Sequence, residues 1–257
     1  MMAARVAVFV AFGLAFGSFL TVVVHRTPRR ESVAAGRSRC PACGETIRAR
    51  DNVPVLSYVL LRGRCRHCGT RISAEYPLTE LATAGLFGAS AAAFADAYVA
   101  ALMAGFLALL LAVALTDLHH RMIPNAVIYP GLLLFAGALT VGAVVGRDVD
   151  LAGSAAGLLL FGGGLLLVAL VAPNGMGMGD VKLAALIGLV LGSRGLPSVI
   201  VALGVGILAG GIGASLALAA GRSRKSAIPF GPFLAGGAAA ASFAGPWLAR
   251  MYTGFLR

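Results

Sequence analysis

The sequence predicts an all-α polytopic membrane protein, about eight transmembrane helices with a small cytoplasmic zinc-binding loop domain. Three observations predict it. Of 257 residues, 59% are hydrophobic and 12% charged, and the mean hydropathy is +0.90, which excludes an ordinary soluble domain. The apolar residues gather into runs of about 20, enough to cross about 30 Å of hydrocarbon at the helical rise. The one long polar stretch, 26–77, holds all four cysteines.

The first run, Val6 to Val24, has Arg5 before it and no A-x-A pattern after it, so a retained span is expected and not a removed signal peptide. Within it Gly13 and Gly17 are spaced as a small-xxx-small packing face, while Ser18 has no companion base in sequence. Six more full-length runs follow: Leu78 to Ala95, Ala97 to Thr116, Ala126 to Val145, Leu151 to Val171, Pro197 to Ala220 and Ile228 to Ala249. An eighth, Val181 to Gly192, is short and reaches only about 18 Å as a helix. The expected division is 1–25 for the first helix, 26–77 for the cysteine loop and 78–257 for a membrane core of seven further helices.

If all eight runs cross, the connections alternate sides. The set 26–77, 117–125, 172–180 and 221–227, with Lys182 at its edge, then carries sixteen of the twenty-one basic residues, which places it in the cytoplasm. Omitting the short run would put "GRSRKS" (221–226) outside, against the charge rule. A short span would also draw Asp180 toward the membrane surface.

The cysteines form "CPACG" (40–44) and "CRHCG" (65–69), two C-x2-C pairs with twenty-one residues between them. That spacing predicts a four-thiolate zinc site of Cys40, Cys43, Cys65 and Cys68, each following glycine allowing the tight turn around the metal. Two disulfides are the alternative, disfavoured in a reducing cytoplasm. The loop has a net charge of +7 but few aromatic residues for base stacking. Anionic lipid is therefore the expected partner of its arginines, and nucleic acid is not expected.

Two carboxylates stand at the edges of apolar runs: Asp117 in "LTDLHHRMIPN" and Asp180 in "GMGMGDVKL". A carboxylate at such a depth is costly enough to suggest function by default. Asp at a helix start is ordinary capping, so Asp180 alone is unremarkable. Asp117 at a helix end opposes the macrodipole and calls for another explanation. Two carboxyl groups sharing one water can act as base and acid in peptide hydrolysis. Gly175, Gly177 and Gly179 would let backbone approach a neighbouring helix or an extended substrate, or form a plain loop; Lys182 lies beside them. His119 and His120 are adjacent and so diverge on a helix, which makes them poor joint metal ligands.

Taken together these blocks resemble the type IV prepilin peptidases, membrane aspartic proteases of the G-x-G-D class. The resemblance runs in order through "GLAFGSFLTVVVHR" (13–26), the cysteine loop (40–80), "DLHHRMIPN" (117–125), "GMGMGDVKLAALIG" (175–188) and "IPFGPFLAGG" (228–237). It implies Asp117 and Asp180 as the catalytic pair, with Gly177, Gly179 and Lys182 in support, at the cytoplasmic face of a bacterial plasma membrane. It implies prepilin or pseudopilin precursors as substrates, cut after a glycine just before their hydrophobic helix. It also implies N-methylation of the new amino terminus from S-adenosylmethionine, for which no soluble-methyltransferase fingerprint is present. Thr21, His25, Glu75 and Asn125 depart from the usual pattern of the family. A proton-coupled transporter using the two aspartates, or a zinc-anchored scaffold without chemistry, are the alternative readings of the residues themselves.

Overall fold

The computed structural model describes residues 1–172, 176–221 and 229–255, the last ten of these as backbone. Gly175 and the basic residues of 222–226 lie outside the described residues. Among those described, no β-strand forms; two isolated antiparallel bridges, Arg39 with Thr46 and Arg64 with Arg71, are the only extended pairing. The chain divides into two compact units, Met1–Ala108 and Leu109–Arg257.

In the first unit, α1 (Met2–Arg26) packs along α3 (Glu75–Ala93). A Cβ at Gly13 would lie 2.6 Å from Ala84 Cα, and one at Gly17 would lie 2.6 Å from Glu80 Cα, so the two backbones nearly touch along the predicted small-residue face. Phe16 and Phe87 stack beside this seam with ring centroids 5.5 Å apart. At the far end, the Arg5 guanidinium donates to the carbonyls of Ala91, Phe94 and Ala95. A cation thus satisfies the orphan carbonyls at the negative end of α3. The pair is therefore antiparallel, and the segment 27–74, with the short helix α2 (Leu56–Leu60), is confined to its other end.

α4 (Ala97–His120) opens with Asp96 accepting the Tyr98 N–H at 2.7 Å, and the boundary between the units falls within it. The second unit continues with α5 (Asn125–Val144), α6 (Leu151–Gly157), one π-helical turn (Leu158–Gly163), α7 (Gly164–Val171), α8 (Met178–Gly192), α9 (Leu196–Ala219) and α10 (Gly231–Phe255). α6, the π turn and α7 together form one apolar rod, Leu151–Val171.

The short run is the core of this unit. α8 has 15 residues, about 22 Å of helix, and Leu183, Ala184, Leu186, Ile187, Val190 and Leu191 have no exposed surface at all. A helix that is apolar on every side is one surrounded by others, and α5, α6, the π turn, α7, α9 and α10 all pack on it. Glycines set its closest approach. A Cβ on Gly157, Gly188 or Gly192 would collide with backbone of the facing helix, and one on Gly162 would come within 2.6 Å of the Ala185 methyl. α6 and α8 thus meet main chain to main chain, the packing favoured where lipid supplies no hydrophobic drive.

Among the described residues five helices are long and apolar enough to cross a membrane: Met2–Arg29, Ala97–His120, Asn125–Val144, Leu151–Val171 and Leu196–Ala219. Their outward residues include Leu133, Val144, Leu167, Val171, Leu208 and Leu216, all exposed and apolar. Contiguous apolar surface of this kind is what hydrocarbon, and not water, accommodates. The chain is a membrane protein.

Candidate active site

α4 carries Asp117 in its last turn. It ends because Arg121 turns left-handed, at φ 52°, while its N–H still bonds the Asp117 carbonyl at 2.8 Å. Pro124 then caps α5 in extended conformation, so 121–124 is a short strap between two helices. Asp117 is only 5% exposed. Its Oδ2 accepts the backbone N–H of Gly231 at 3.0 Å. Gly231 is the first residue of α10, whose opening N–H groups have no partner inside their own helix. The puzzle of an acid at a helix C-terminus is resolved here: α10 brings its positive end to the carboxyl that α4 holds at its negative end.

Asp180 lies in the first turn of α8, half-buried. Gly177 precedes this helix as N-cap; its carbonyl accepts the Asp180 N–H at 3.1 Å, and its own N–H is directed to the Asp180 carboxylate. This reciprocal arrangement fixes the carboxyl against the helix start as a capping box would. The charge on Asp117 acts on Asp180, so the two groups share one electrostatic neighbourhood. Ile123 on the strap holds both ends of it. A Cβ on Gly179 would sit 2.9 Å from Ile123 Cβ, and one on Gly231 would sit 3.3 Å from Ile123 Cδ1 and 2.7 Å from Asp117 Oδ2. Both glycines are therefore required by close approach.

Lys182 points sideways. Its ammonium donates to Asn125 Oδ1 at 3.0 Å and lies 5.0 Å from the centre of the Tyr129 ring, tying the start of α8 to the start of α5. His119 and His120 are exposed, with ring centroids 6.2 Å apart. Gly231, Ile123 and the anchoring role of Asn125 were not singled out by sequence reasoning. The one local signal was the G-P pair of "FGPF", where Gly precedes a proline in the first turn of a helix.

The cysteines converge in the first unit. All four Sγ atoms lie within 4.8 Å of one another, and they form the one such group of candidate ligands among the described residues. Both pairs use the same local device. Cys40 N–H bonds Glu45 O and Gly44 N–H bonds Cys40 O, each at 2.9 Å; Cys65 N–H bonds Thr70 O at 2.9 Å and Gly69 N–H bonds Cys65 O at 3.0 Å. Gly44 and Gly69 both adopt φ +71°, the left-handed turn that closes each knuckle. Cys40 and Cys68 Sγ are 3.8 Å apart and all four thiols are free. Tetrahedral thiolates about 2.3 Å from a zinc ion stand about 3.8 Å from each other, so the donor set fits that metal.

The surroundings favour the thiolate at Cys40 and Cys68, while Cys43, despite the Glu45 backbone, is pushed up to about 11 by burial and the Cys40 and Cys68 thiols. The Thr70 hydroxyl and backbone bring Cys68 down to about 6, and the backbone N–H groups of Cys43 and Ala42 lower Cys40. Beside them Arg66 grips Asp51 in a two-pronged ion pair, 2.6 Å at its shortest, and holds that carboxyl below its ordinary range.

Comparison with known proteins agrees with this division. Residues 11–94 match the bacterial peptidase A24 N-terminal domain, and residues 104–215 match the type IV leader peptidase family. The chain is 38% identical to a prepilin leader peptidase/N-methyltransferase of Burkholderia pseudomallei, over 92% of this chain and 84% of that protein. It is 35% identical to proteins of the same description from Bacillus subtilis, covering 94% and 95% of the two chains, and Pseudomonas aeruginosa, covering 88% and 86%. No solved structure matches. With relatives of that identity along most of its length, and two family models matched in order along the chain, the chain belongs to the type IV leader peptidase family.

Proposed function

We propose that the chain removes the leader peptide of type IV prepilins or pseudopilins as a membrane aspartic endopeptidase, with Asp117 and Asp180 as its catalytic pair. The observation that supports this reading is that Ile123 packs against Gly179, next to Asp180 at the start of α8, and against Gly231, whose N–H serves Asp117 at the end of α4, although the two acids stand 63 residues apart in sequence. A water held between the two carboxyl groups loses a proton to one as it attacks the scissile carbonyl, and the other protonates the carbonyl oxygen; as the tetrahedral diol collapses, the first passes the proton it took from water to the leaving amine and the second recovers its own from a diol hydroxyl. Gly231 N–H fixes the orientation of Asp117, Gly177 that of Asp180, and Lys182 anchors the start of α8 through Asn125.

The charge distribution supports eight spans, with both acids facing the cytoplasm. A precursor could then keep its hydrophobic helix in lipid and present its leader at the surface. Cys40, Cys43, Cys65 and Cys68 would hold zinc, which supplies a cross-link for a loop that has little hydrophobic core of its own. The reading extends to methylation of the new amino terminus, the second activity in the description of the relatives.

The test is cleavage of a prepilin by the purified protein in lipid nanodiscs, followed by mass measurement of the product's amino terminus. Wild-type protein should release the leader, and Asp117→Asn and Asp180→Asn should each reduce the rate by about a thousandfold or more. Wild-type turnover in either variant would end the proposal.

A further inference from the structure

The two cysteine knuckles share one backbone pattern and differ in charge. In the first, Cys40 N–H bonds Glu45 O and Ile47 N–H bonds Ser38 O, so Arg39 and Thr46 oppose each other as a close, non-hydrogen-bonded pair. In the second, Cys65 N–H bonds Thr70 O and Ile72 N–H bonds Gly63 O, and the matching places are held by Arg64 and Arg71. Residues directly opposed in such a pair send their side chains to the same face, where like charges are destabilising. The second knuckle thus bears a repulsion that threonine spares the first.

A cleft of about 360 Å³ opens beside this pair, lined by Tyr58, Arg62, Gly63, Arg64, Arg71 and Ile72. A third arginine therefore joins the two, and no acid lines the cleft. Among the described residues no carboxylate pairs with any of the three, whereas Arg66 of the same knuckle is taken by Asp51. Tyr58, Arg71 and Ile72 also line a larger hollow bounded by α1 and α3; Arg62, Gly63 and Arg64 do not.

The cleft is built on fixed backbone. Arg62 at φ 51° and Gly63 at φ 65° are successive left-handed residues, and the Gly63 N–H bonds the Tyr58 carbonyl at 2.9 Å. A Cβ at Gly63 would lie 3.0 Å from both Cζ and Oη of Tyr58, so the ring rests on bare main chain with its hydroxyl at the cleft. Tyr58 belongs to α2, whose start is tied to α3: the buried Glu80 carboxylate accepts the Val55 N–H at 2.7 Å and Val55 sits at φ +59°. A β-branched residue takes that conformation only when its surroundings force it.

Three guanidiniums gathered without a counter-ion match an anion with several acceptor oxygens. A carboxylate offers one charge and two oxygens. A phosphomonoester offers about two charges and three oxygens, and arginine meets it with paired N–H donors. We propose that this cleft binds one phosphate group, with Arg62, Arg64 and Arg71 donating to its oxygens and the Tyr58 hydroxyl adding a neutral donor. An anion between Arg64 and Arg71 offsets the repulsion built into the second knuckle. The site lies in the first unit, apart from the two aspartates, and stands independently of the peptidase reading. Its chemistry is common to a lipid headgroup and a soluble phosphate.

The experiment uses the full-length protein in phosphatidylcholine nanodiscs, titrated with inorganic phosphate and followed by phosphorus NMR. A second set of discs also carries phosphatidic acid, whose headgroup is a phosphomonoester. Saturable binding of a single phosphate per chain is expected. Arg71→Thr gives the second knuckle the pair found in the first, so it should fold, and it should weaken binding about tenfold or more. Arg62→Gln leaves the paired backbone of the knuckle untouched and should do the same. Arg37→Gln removes an equal charge from an exposed site outside both hollows and should change the affinity less than about twofold. Loss of the inorganic phosphate titration in discs with phosphatidic acid, together with a broadened lipid monoester signal that Arg71→Thr restores, identifies the headgroup as the ligand. An unchanged titration in those discs identifies a soluble phosphate. Absence of saturable binding of either probe would overturn the site. So would unchanged affinity in natively melting Arg71→Thr or Arg62→Gln protein, or an equal loss in Arg37→Gln, which would make the attraction one of diffuse charge.

Discussion

Substituting alanine at Gly179 tests the active-site geometry most directly. The added Cβ would lie 2.9 Å from Ile123 Cβ and 3.5 Å from its Cγ1 and Cδ1. Carbon atoms prefer separations of about 3.5–4.0 Å, so the start of α8 and the 121–124 strap must part by roughly half an ångström or more. The obstructing atom is next to the backbone, so no rotamer change relieves it. Overpacking of this kind costs about 1–3 kcal/mol, partly offset by the helix preference of alanine over glycine, up to about 1 kcal/mol. Because Ile123 also abuts Gly231 beside Asp117, the displacement falls on the spacing of the two acids. A misplacement approaching 1 Å at reacting groups costs about a hundredfold in rate. Gly179→Ala should therefore retain its fold and lose about 30- to 100-fold in kcat for prepilin cleavage. Gly236→Ala is the matched control, since nothing lies within 4 Å of its added methyl. Wild-type kcat in Gly179→Ala, or an equal loss in Gly236→Ala, would show that the wedge does not set the distance between the acids.

Lys182→Ala and Asn125→Ala each release one end of the same 3.0 Å bond, so each should slow cleavage several-fold, and the double variant should be no slower than the worse single. Cys65→Ser should lower the zinc content, measured by atomic emission, from one equivalent per chain toward none, and should speed proteolysis of the 27–74 segment. Gly188→Leu drives a side chain into the Gly157 carbonyl across the α6–α8 contact and should abolish recovery of folded protein from detergent, seen as loss of the monodisperse peak. The Asp51 carboxyl is held below its ordinary value by Arg66, so the ion pair persists above the ordinary carboxylate range and is lost as pH falls through the lowered value. Amide exchange around 49–51 and 64–71 should quicken only in that acid window.

Much of this was legible in the sequence because it is local. Apolar run length favours helix residue by residue, and the predicted runs fall on helices in the described residues, Val6 to Val24 within α1, Val181 to Gly192 within α8 and Leu151 to Val171 in full, although only five of these helices are long and apolar enough to cross a membrane. The cysteine knuckles are equally local, since each C-x2-C-G turn closes on its own glycine before the two halves meet. The spacing of Gly13 and Gly17 identified a packing face, although not its partner, α3.

What the tertiary structure decided is everything that joins distant segments. No periodicity reveals that the N–H serving Asp117 comes from Gly231, 114 residues away, or that Ile123 packs against both Gly179 and Gly231. Nor does any local pattern disclose that Glu80 reaches back to the strained backbone of Val55. The length and composition of α8 marked it as a weak span; only its six packed neighbours reveal it as the core. The physical reason is common to all of these. Helix formation and metal-knuckle turns are set by neighbours within a few residues, whereas the placement of a carboxyl group depends on how whole helices close around one another.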